Sequence, residues 1–228
     1  MTLQELIDAV ILKATGKVTA LTPENAKWQK ILGIANSYQQ AWQHEPGQHW
    51  NSLYNRNLSV GTITARDAYD LDEEIDTIST AKGDNVYIQA ANGDKIEYEL
   101  VPYDDLKNYK TGKYCAVVAK QLVFNKVFSN LDPEYGGKIY VPAYSNVETL
   151  ERADDDIQVD NPLWLVFMCA AEYIRNDIVK QNQYSNLIAE SNNMMTDMIR
   201  RNRAGQVCHV RGKWRNPGGD YASGGYYQ

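Results

Sequence analysis

The stretch Tyr87-Ile88-Gln89-Ala90-Ala91-Asn92-Gly93-Asp94-Lys95-Ile96-Glu97-Tyr98-Glu99-Leu100 decides how the middle of this chain folds. Tyr87, Ile88 and Ala90 run into Asn92-Gly93, and Ile96, Tyr98 and Leu100 leave it at alternating positions. An Asn-Gly pair readily adopts the positive φ angles of a tight hairpin turn, and alternation gives each flanking strand one apolar face. The same period-two character extends outward from about residue 57 to 141. Further strands are expected at 58–64, 74–80, 114–119, 121–128 and 138–141. Gly83-Asp84, Pro102, Gly112, Pro133 and Gly136-Gly137 punctuate them. Short strands at this spacing predict an antiparallel sandwich or barrel-like unit.

Helical periodicity flanks this unit on both sides. Thr2 and Glu5 form a capping-box pattern ahead of Leu3, Leu6, Ile7, Val10 and Ile11, with Gly16 as the stop. Thr22-Pro23 marks a second start, and Trp28, Ile31, Leu32, Ala35, Tyr38 and Trp42 then keep a 3.6 period until Pro46-Gly47. Near the other end, Asp160-Asn161-Pro162 is a cap followed by proline. Leu163, Phe167, Ala170, Ala171, Ile174 and Ile178 share one helix face. The stripe continues through Tyr184, Ile188, Met195, Met198 and Ile199, with a slip of phase near 180–183. This predicts one bent helix or two helices, ending near Gly205. The expected fold class is α+β, with the terminal helices packed as a bundle around an inserted β unit. The corresponding division is a helical domain of residues 1–50 and 160–204, a β domain of 51–159, and an extended C-terminal arm of 205–228.

Composition bounds the function. The chain has 228 residues, 43% of them apolar and 23% charged, enough to bury a sizeable core and too apolar to be disordered throughout. It has no apolar run long enough for a membrane span. The first residues have no cationic region or small-residue cleavage site, so no secretion is expected. Cys115, Cys169 and Cys208 are far apart and odd in number, which fits reduced thiols rather than a disulfide framework or a zinc site. Tyrosine supplies 16 residues against 3 phenylalanines. Tyrosine suits strands, which is the first explanation of the surplus, and it also suits half-buried interfaces.

Charge is unevenly placed. The net charge is −6. Residues 198–219 hold Arg200, Arg201, Arg203, Arg211, Lys213 and Arg215 and no acid, so the remainder carries −12. The end of the chain is rich in Gly and Tyr, with Tyr221, Tyr226 and Tyr227. A basic segment on an acidic body can meet phosphate, an acidic protein surface or another copy of the chain.

Motifs for catalysis are missing. The chain contains no GxGxxG, GxxxxGK[ST], GxSxG or HExxH. His44-Glu45 is followed by Pro46, so it cannot form a metal-binding helix face with His49. The acids Glu148, Glu151, Asp154, Asp155, Asp156 and Asp160 lack the alternate spacing and the glycine of a calcium loop. They read as a solvated loop ahead of a helix N-terminus. No enzyme activity, cofactor or metal is expected, and a DNA-binding regulator is the weaker alternative for so acidic a chain.

The order of motifs resembles the head-to-tail adaptor (connector) proteins of tailed bacteriophages, of the tail tubular protein A type. The resemblance covers about residues 25–203. It rests on Ile31-Leu32-Gly33-Ile34-Ala35-Asn36-Ser37-Tyr38 leading to Trp50-Asn51-Ser52-Leu53, then on Val60-Gly61-Thr62 and Ala68-Tyr69-Asp70-Leu71. It continues with Gly136-Gly137-Lys138-Ile139-Tyr140-Val141-Pro142, Val159-Asp160-Asn161-Pro162-Leu163-Trp164-Leu165 and Ala170-Ala171-Glu172-Tyr173. The family often follows its Tyr-x-Leu with proline, whereas Leu71 precedes Asp72-Glu73. Neither the first helix nor the Gly/Tyr-rich end is a fixed family pattern.

The resemblance implies a virion protein of the neck, assembled in the host bacterial cytoplasm. It would form a homo-oligomeric ring, commonly twelve-fold, between the portal protein and a tail or nozzle protein. Viral DNA would pass through without sequence recognition and no membrane would be involved. In that setting Arg211, Lys213, Trp214, Arg215, Tyr221, Tyr226 and Tyr227 would bind the portal or a neighbour, with Arg200, Arg201 and Arg203 as a basic contact. The alternative within the virion is another head-completion or tail-collar component.

Overall fold

Three of the four long helices open where local capping chemistry places them. A computed structural model describes residues 1–81 and 83–211, and the side chains of these except over 205–211. Helix α1 (Leu3–Thr15) starts at Thr2, whose Oγ1 accepts from the Glu5 N–H at 3.3 Å while Glu5 Oε2 accepts from the Thr2 N–H at 2.9 Å. Gly16 ends it with φ +71°. The Leu3 and Gln4 N–H groups, which have no partner within the helix, donate to the carbonyls of Asp155 and Ala153 at 2.9 and 3.0 Å. Helix α2 (Ala26–Gln43) begins later than Thr22-Pro23 indicates. Residues 22–25 form a turn closed by the Asn25 N–H on the Thr22 carbonyl, and the Asn25 side chain caps the helix by accepting from Lys27 N–H at 2.9 Å.

After a one-turn helix α3 (Tyr103–Leu106), α4 (Pro162–Ile174) starts at its Asn161 cap with proline in the first turn. The phase slip marks two helices: a 3₁₀ turn at Ile178–Lys180 separates α4 from α5 (Gln181–Arg211). Helix α5 runs through Gly205 to Arg211, beyond its expected end. An interior glycine costs a helix only about 1 kcal/mol relative to alanine, and it stops a helix only where a positive φ is needed. Leu163 and Ile178 are exposed, not on the buried face their spacing suggests.

Helices α1, α2, α4 and α5 share one buried cluster, including Leu6, Val10, Trp28, Trp42, Leu165, Cys169, Ile174 and Met198. Helix α4 touches all three others and is buried nearly all round. Trp50 stacks on Trp42 with ring centroids 4.7 Å apart, and its Nε1 donates to the Trp42 carbonyl at 2.7 Å.

Between α2 and α4 lie eight strands: β1 (Tyr54–Thr62), β2 (Ala68–Asp70), β3 (Ile75–Ile78), β4 (Val86–Gln89), β5 (Lys95–Leu100), β6 (Tyr114–Val118), β7 (Gln121–Phe124) and β8 (Lys138–Ser145). They form one sheet in the order β1-β8-β4-β5-β6-β7-β2, with β3 pairing β8 off this path. The sheet curls into a half-barrel, so that β1 and β2 at its two ends approach each other. Of the two architectures expected, this is the barrel-like one in open form, not a pair of stacked sheets. It is also not wholly antiparallel: β5 and β6 run parallel, Glu99 opposite Tyr114 and Leu100 opposite Cys115. The connection through α3 carries the chain back across the sheet before β6 begins.

The Asn92-Gly93 hairpin is present, joining β4 to β5 with Gly93 at φ +91°. The concave side holds a second buried cluster, including Ile63, Tyr69, Val86, Ile88, Tyr98, Phe124, Ile139 and Val141. A charged group sits within it. Glu134, 2% exposed, accepts from Tyr98 Oη at 3.0 Å and from Lys126 Nζ at 3.2 Å, while Lys126 also reaches Asp132 at 3.1 Å. Burial and the Glu134 charge push the Tyr98 phenol far up, so it stays a donor.

The chain returns from the sheet to the helices along residues 146–158, and α2 holds this segment with amide side chains. Asn36 donates to the Leu150 carbonyl at 2.9 Å and accepts from its N–H at 2.8 Å. Gln39 donates to the Glu148 carbonyl at 2.9 Å and accepts from Gln158 N–H at 3.3 Å. Gln43 accepts from Val147 N–H at 2.9 Å and donates to Asn146 Oδ1 at 2.7 Å. Three amides on one helix face thus do for an extended segment what a neighbouring strand would do.

Candidate interaction surfaces

The basic residues near the end of α5 are positioned by the asparagine between them. Asn202 is buried, donates from Nδ2 to the His49 carbonyl at 2.9 Å, and accepts from the Asn51 N–H at 3.0 Å. Its own carbonyl accepts from Asn51 Nδ2 at 3.1 Å. Leu187, Ser191, Met198 and Asn202 form the buried face of the helix, which turns Arg200, Arg201 and Arg203 to solvent. Arg200 pairs with Asp197 at 3.1 Å, an exposed pair three residues apart that adds little stability. Arg201 and Arg203 enter no ion pair among the described residues. The three guanidinium groups are thus a solvated, clustered positive charge. The Arg211 side chain is not among those described, and Lys213, Trp214, Arg215, Tyr221, Tyr226 and Tyr227 lie outside the described residues.

Most of the described tyrosines sit on strands, and most are half-buried. Tyr87 and Tyr140 stack across β4 and β8 at 5.0 Å, with Lys95 over the Tyr87 ring. Tyr54 lies against Tyr144, which stacks on His49. Burial, then the neighbouring Asp84 carboxylate, pushes the Tyr54 phenol up to about 12. Burial raises Tyr144 as well. These rings form an amphipathic outer face on the sheet, whereas Tyr69 and Tyr98 are fully buried and Tyr103, Tyr109 and Tyr135 are exposed.

Of the residues considered for chemistry, the two described cysteines are buried and the acidic loop is tied by backbone hydrogen bonds. Cys115 and Cys169 are buried, and burial drives both thiols well above their ordinary range, away from the reactive thiolate. In the acidic loop, Asp155 accepts from the Arg152 and Glu151 N–H groups at 2.7 Å, which hold its carboxyl below the usual range. Arg152 pairs with Asp154 at 2.6 Å. Among the described residues, no group of three or more His, Cys, Asp or Glu is arranged to hold a metal ion, and no helix is long and apolar enough to cross a membrane.

Two depressions mark the sheet unit. A cleft of about 400 Å³ beside α3 is lined by Asp67, Asp104, Lys107, Lys110 and Lys126 among others. A larger groove of about 530 Å³, mostly apolar, runs between β3 and the ends of β5 and β6.

The chain is a mixed α+β protein whose described surface carries exposed arginines near the end of α5 and a half-buried tyrosine face on the sheet. No protein-family model matches the chain, and no curated protein matches it at a significant level.

Proposed function

We propose that this chain is the structural subunit of a head-to-tail adaptor ring in a tailed bacteriophage, joining the portal to the tail and surrounding the DNA channel. The observation that carries the reading is where the quoted motifs fall on the chain order. Trp50-Asn51-Ser52-Leu53 links the second helix to the sheet, Gly136-Gly137 leads into its last strand, and Asn161-Pro162 opens the returning helix. In this proposal residues 1–50 and 160–204 are a helical bundle domain, 51–159 an inserted β domain and 205–228 an arm. The subunit is a homo-oligomer without enzymatic activity, commonly twelve-fold, that handles DNA without reading its sequence.

The charge pattern supports such a role. An acidic body lets a polyanion slide, because phosphate attraction is what would retard it. The basic cluster Arg200, Arg201 and Arg203, with Arg211, Lys213 and Arg215, suits an acidic protein surface. Half-buried tyrosines suit the large interfaces of a ring.

Incubating the full-length protein with portal-containing heads tests this. The expected result is co-sedimentation with the heads, lost when residues 205–228 are deleted while the circular dichroism loses only the helical signal of residues 205–211. Capture of a tail-tube protein alone would favour a collar or completion component instead. A salt-sensitive DNA affinity abolished by Arg200→Ala, Arg201→Ala and Arg203→Ala together would favour a regulator.

A further inference from the structure

We infer that the groove between β3 and the ends of β5 and β6 is a strand-addition site, and that its occupant is this chain's own C-terminal segment, residues 212–228. The assignment stands apart from the adaptor proposal, because it concerns a contact the chain makes with its own sequence.

The sheet creates the site. Strands β4 and β3 lie end to end along one side of β8, β4 on residues 138–140 and β3 on residues 143–145. Beyond β4 comes β5, but no described strand pairs the outer edge of β3. The sheet's order therefore leaves one strand position open, and the groove of about 530 Å³ lies there. Leu71, Ile75, Ile78, Leu100, Pro102 and Val117 line it, and Val117 is 39% exposed. An unpaired edge beside an apolar trough can take an extended peptide, with backbone hydrogen bonds supplying affinity and alternate side chains supplying selectivity.

Charge selects the occupant. The chain running into β3 reads Asp70-Leu71-Asp72-Glu73-Glu74-Ile75-Asp76, five acids in seven residues. None of them pairs with a cation among the described residues. Asp76 and Lys120 both line the groove, and the acids flanking Leu71 and Ile75 leave its rim net negative, which disfavours another copy of the same edge and favours a basic strand. Lys213-Trp214-Arg215 has the matching alternation, two cations on one side of an extended strand and an aromatic ring on the other. Seated beside β3, Trp214 fills the apolar trough while Lys213 and Arg215 meet the acids. Lys213 follows the end of α5 at Arg211 by two residues, so it reaches at most about 7 Å beyond the helix, and a groove farther away takes the segment of another copy.

Photo-crosslinking of the full-length chain carrying Val117→p-benzoylphenylalanine tests this. Adducts identified by mass spectrometry are expected to map to residues 212–228. Their yield should fall at least about threefold in 0.5 M NaCl, where the Debye length is a few ångströms. It should fall comparably in the triple variant Asp72→Asn, Glu73→Gln and Glu74→Gln. Mixing copies of two isotopic compositions reads whether the segment comes from the same chain or another, and either origin upholds the assignment. Three outcomes overturn it: no adduct with 212–228, adducts to another copy's β3, or equal adducts from the control Leu131→p-benzoylphenylalanine, which is 90% exposed and does not line the groove. Both proposals draw on residues 212–228, but crosslinking into the groove and co-sedimentation with heads are separate readouts, so either can fail while the other holds.

Discussion

Asn202 shows how one side chain can orient a charged surface. Its amide fastens α5 to the loop entering the sheet, where the Asn51 N–H and the His49 carbonyl would otherwise lack those partners. Asn202→Ala removes these bonds and takes the acceptor from the part-buried Asn51 N–H, and a loss of about 1–3 kcal/mol is expected in chemical denaturation. Asp155 gives a second residue-scale outcome. The Arg152 and Glu151 N–H groups depress its folded pKa below the ordinary aspartate value, so its contribution to stability is present above about pH 4. That contribution is lost as pH falls through the lower, folded value. Thermal unfolding between pH 6 and pH 2 should show a shallower acid-side decline in Asp155→Ala than in the parent protein.

At the scale of elements, the clearest constraint is where β8 begins. A Cβ on Gly137 would sit 2.7 Å from the Gln89 carbonyl and 2.9 Å from that of Glu134, both backbone atoms that cannot rotate away. Gly137→Ala must therefore push β4 from β8, and overpacking of this kind costs about 1–3 kcal/mol. Differential scanning calorimetry should show a lower Tm for it than for Gly33→Ala, whose added Cβ meets open space.

The elements also separate what local sequence encodes from what it does not. Thr2 with Glu5, Asn161 with Pro162 and Asn92-Gly93 act within a few residues of themselves, and all three are legible in the sequence. The parallel β5–β6 pair is not, because alternation looks the same for either direction. Strand β2 is too short for periodicity and is noticed only through the Ala68-Tyr69-Asp70-Leu71 motif. Asn36, Gln39 and Gln43 carry no signal of their role, since nothing near them announces the distant segment they bind. Asn202 is hidden in the same way among its arginines. Of the candidate site, Arg200, Arg201 and Arg203 are found exposed as a charge run suggests. The Lys126–Glu134–Tyr98 network has no sequence signal, because Tyr98 lies on β5, far along the chain from the segment that carries the other two.

On the scale of the whole molecule, two buried clusters lie side by side with different makers, one from the helices and one from the sheet. The links between them include the amide row of α2, the Asn202 clamp and the His49–Tyr144 stack. Large-to-small changes in each core cost about 2–5 kcal/mol. Calorimetry should resolve two transitions, with Leu165→Ala lowering one and Ile139→Ala the other. A single transition shifted equally by both would mean that the polar links couple the cores fully.

The threefold pairing of β8 also sets the order of events in time. Strands β1, β3 and β4 all bond to it, yet it is the last strand of the sheet to leave the ribosome. Helix α4, which touches α1, α2 and α5, is made later still. At about 5–20 residues per second, the nascent chain must wait for seconds with Leu58 and Val60 uncovered and its first two helices lacking their central partner. Non-local closure of this kind slows folding as well. Premature encounter with another copy is then most dangerous during synthesis, so yield should depend more on expression rate and temperature than on the stability of the finished protein.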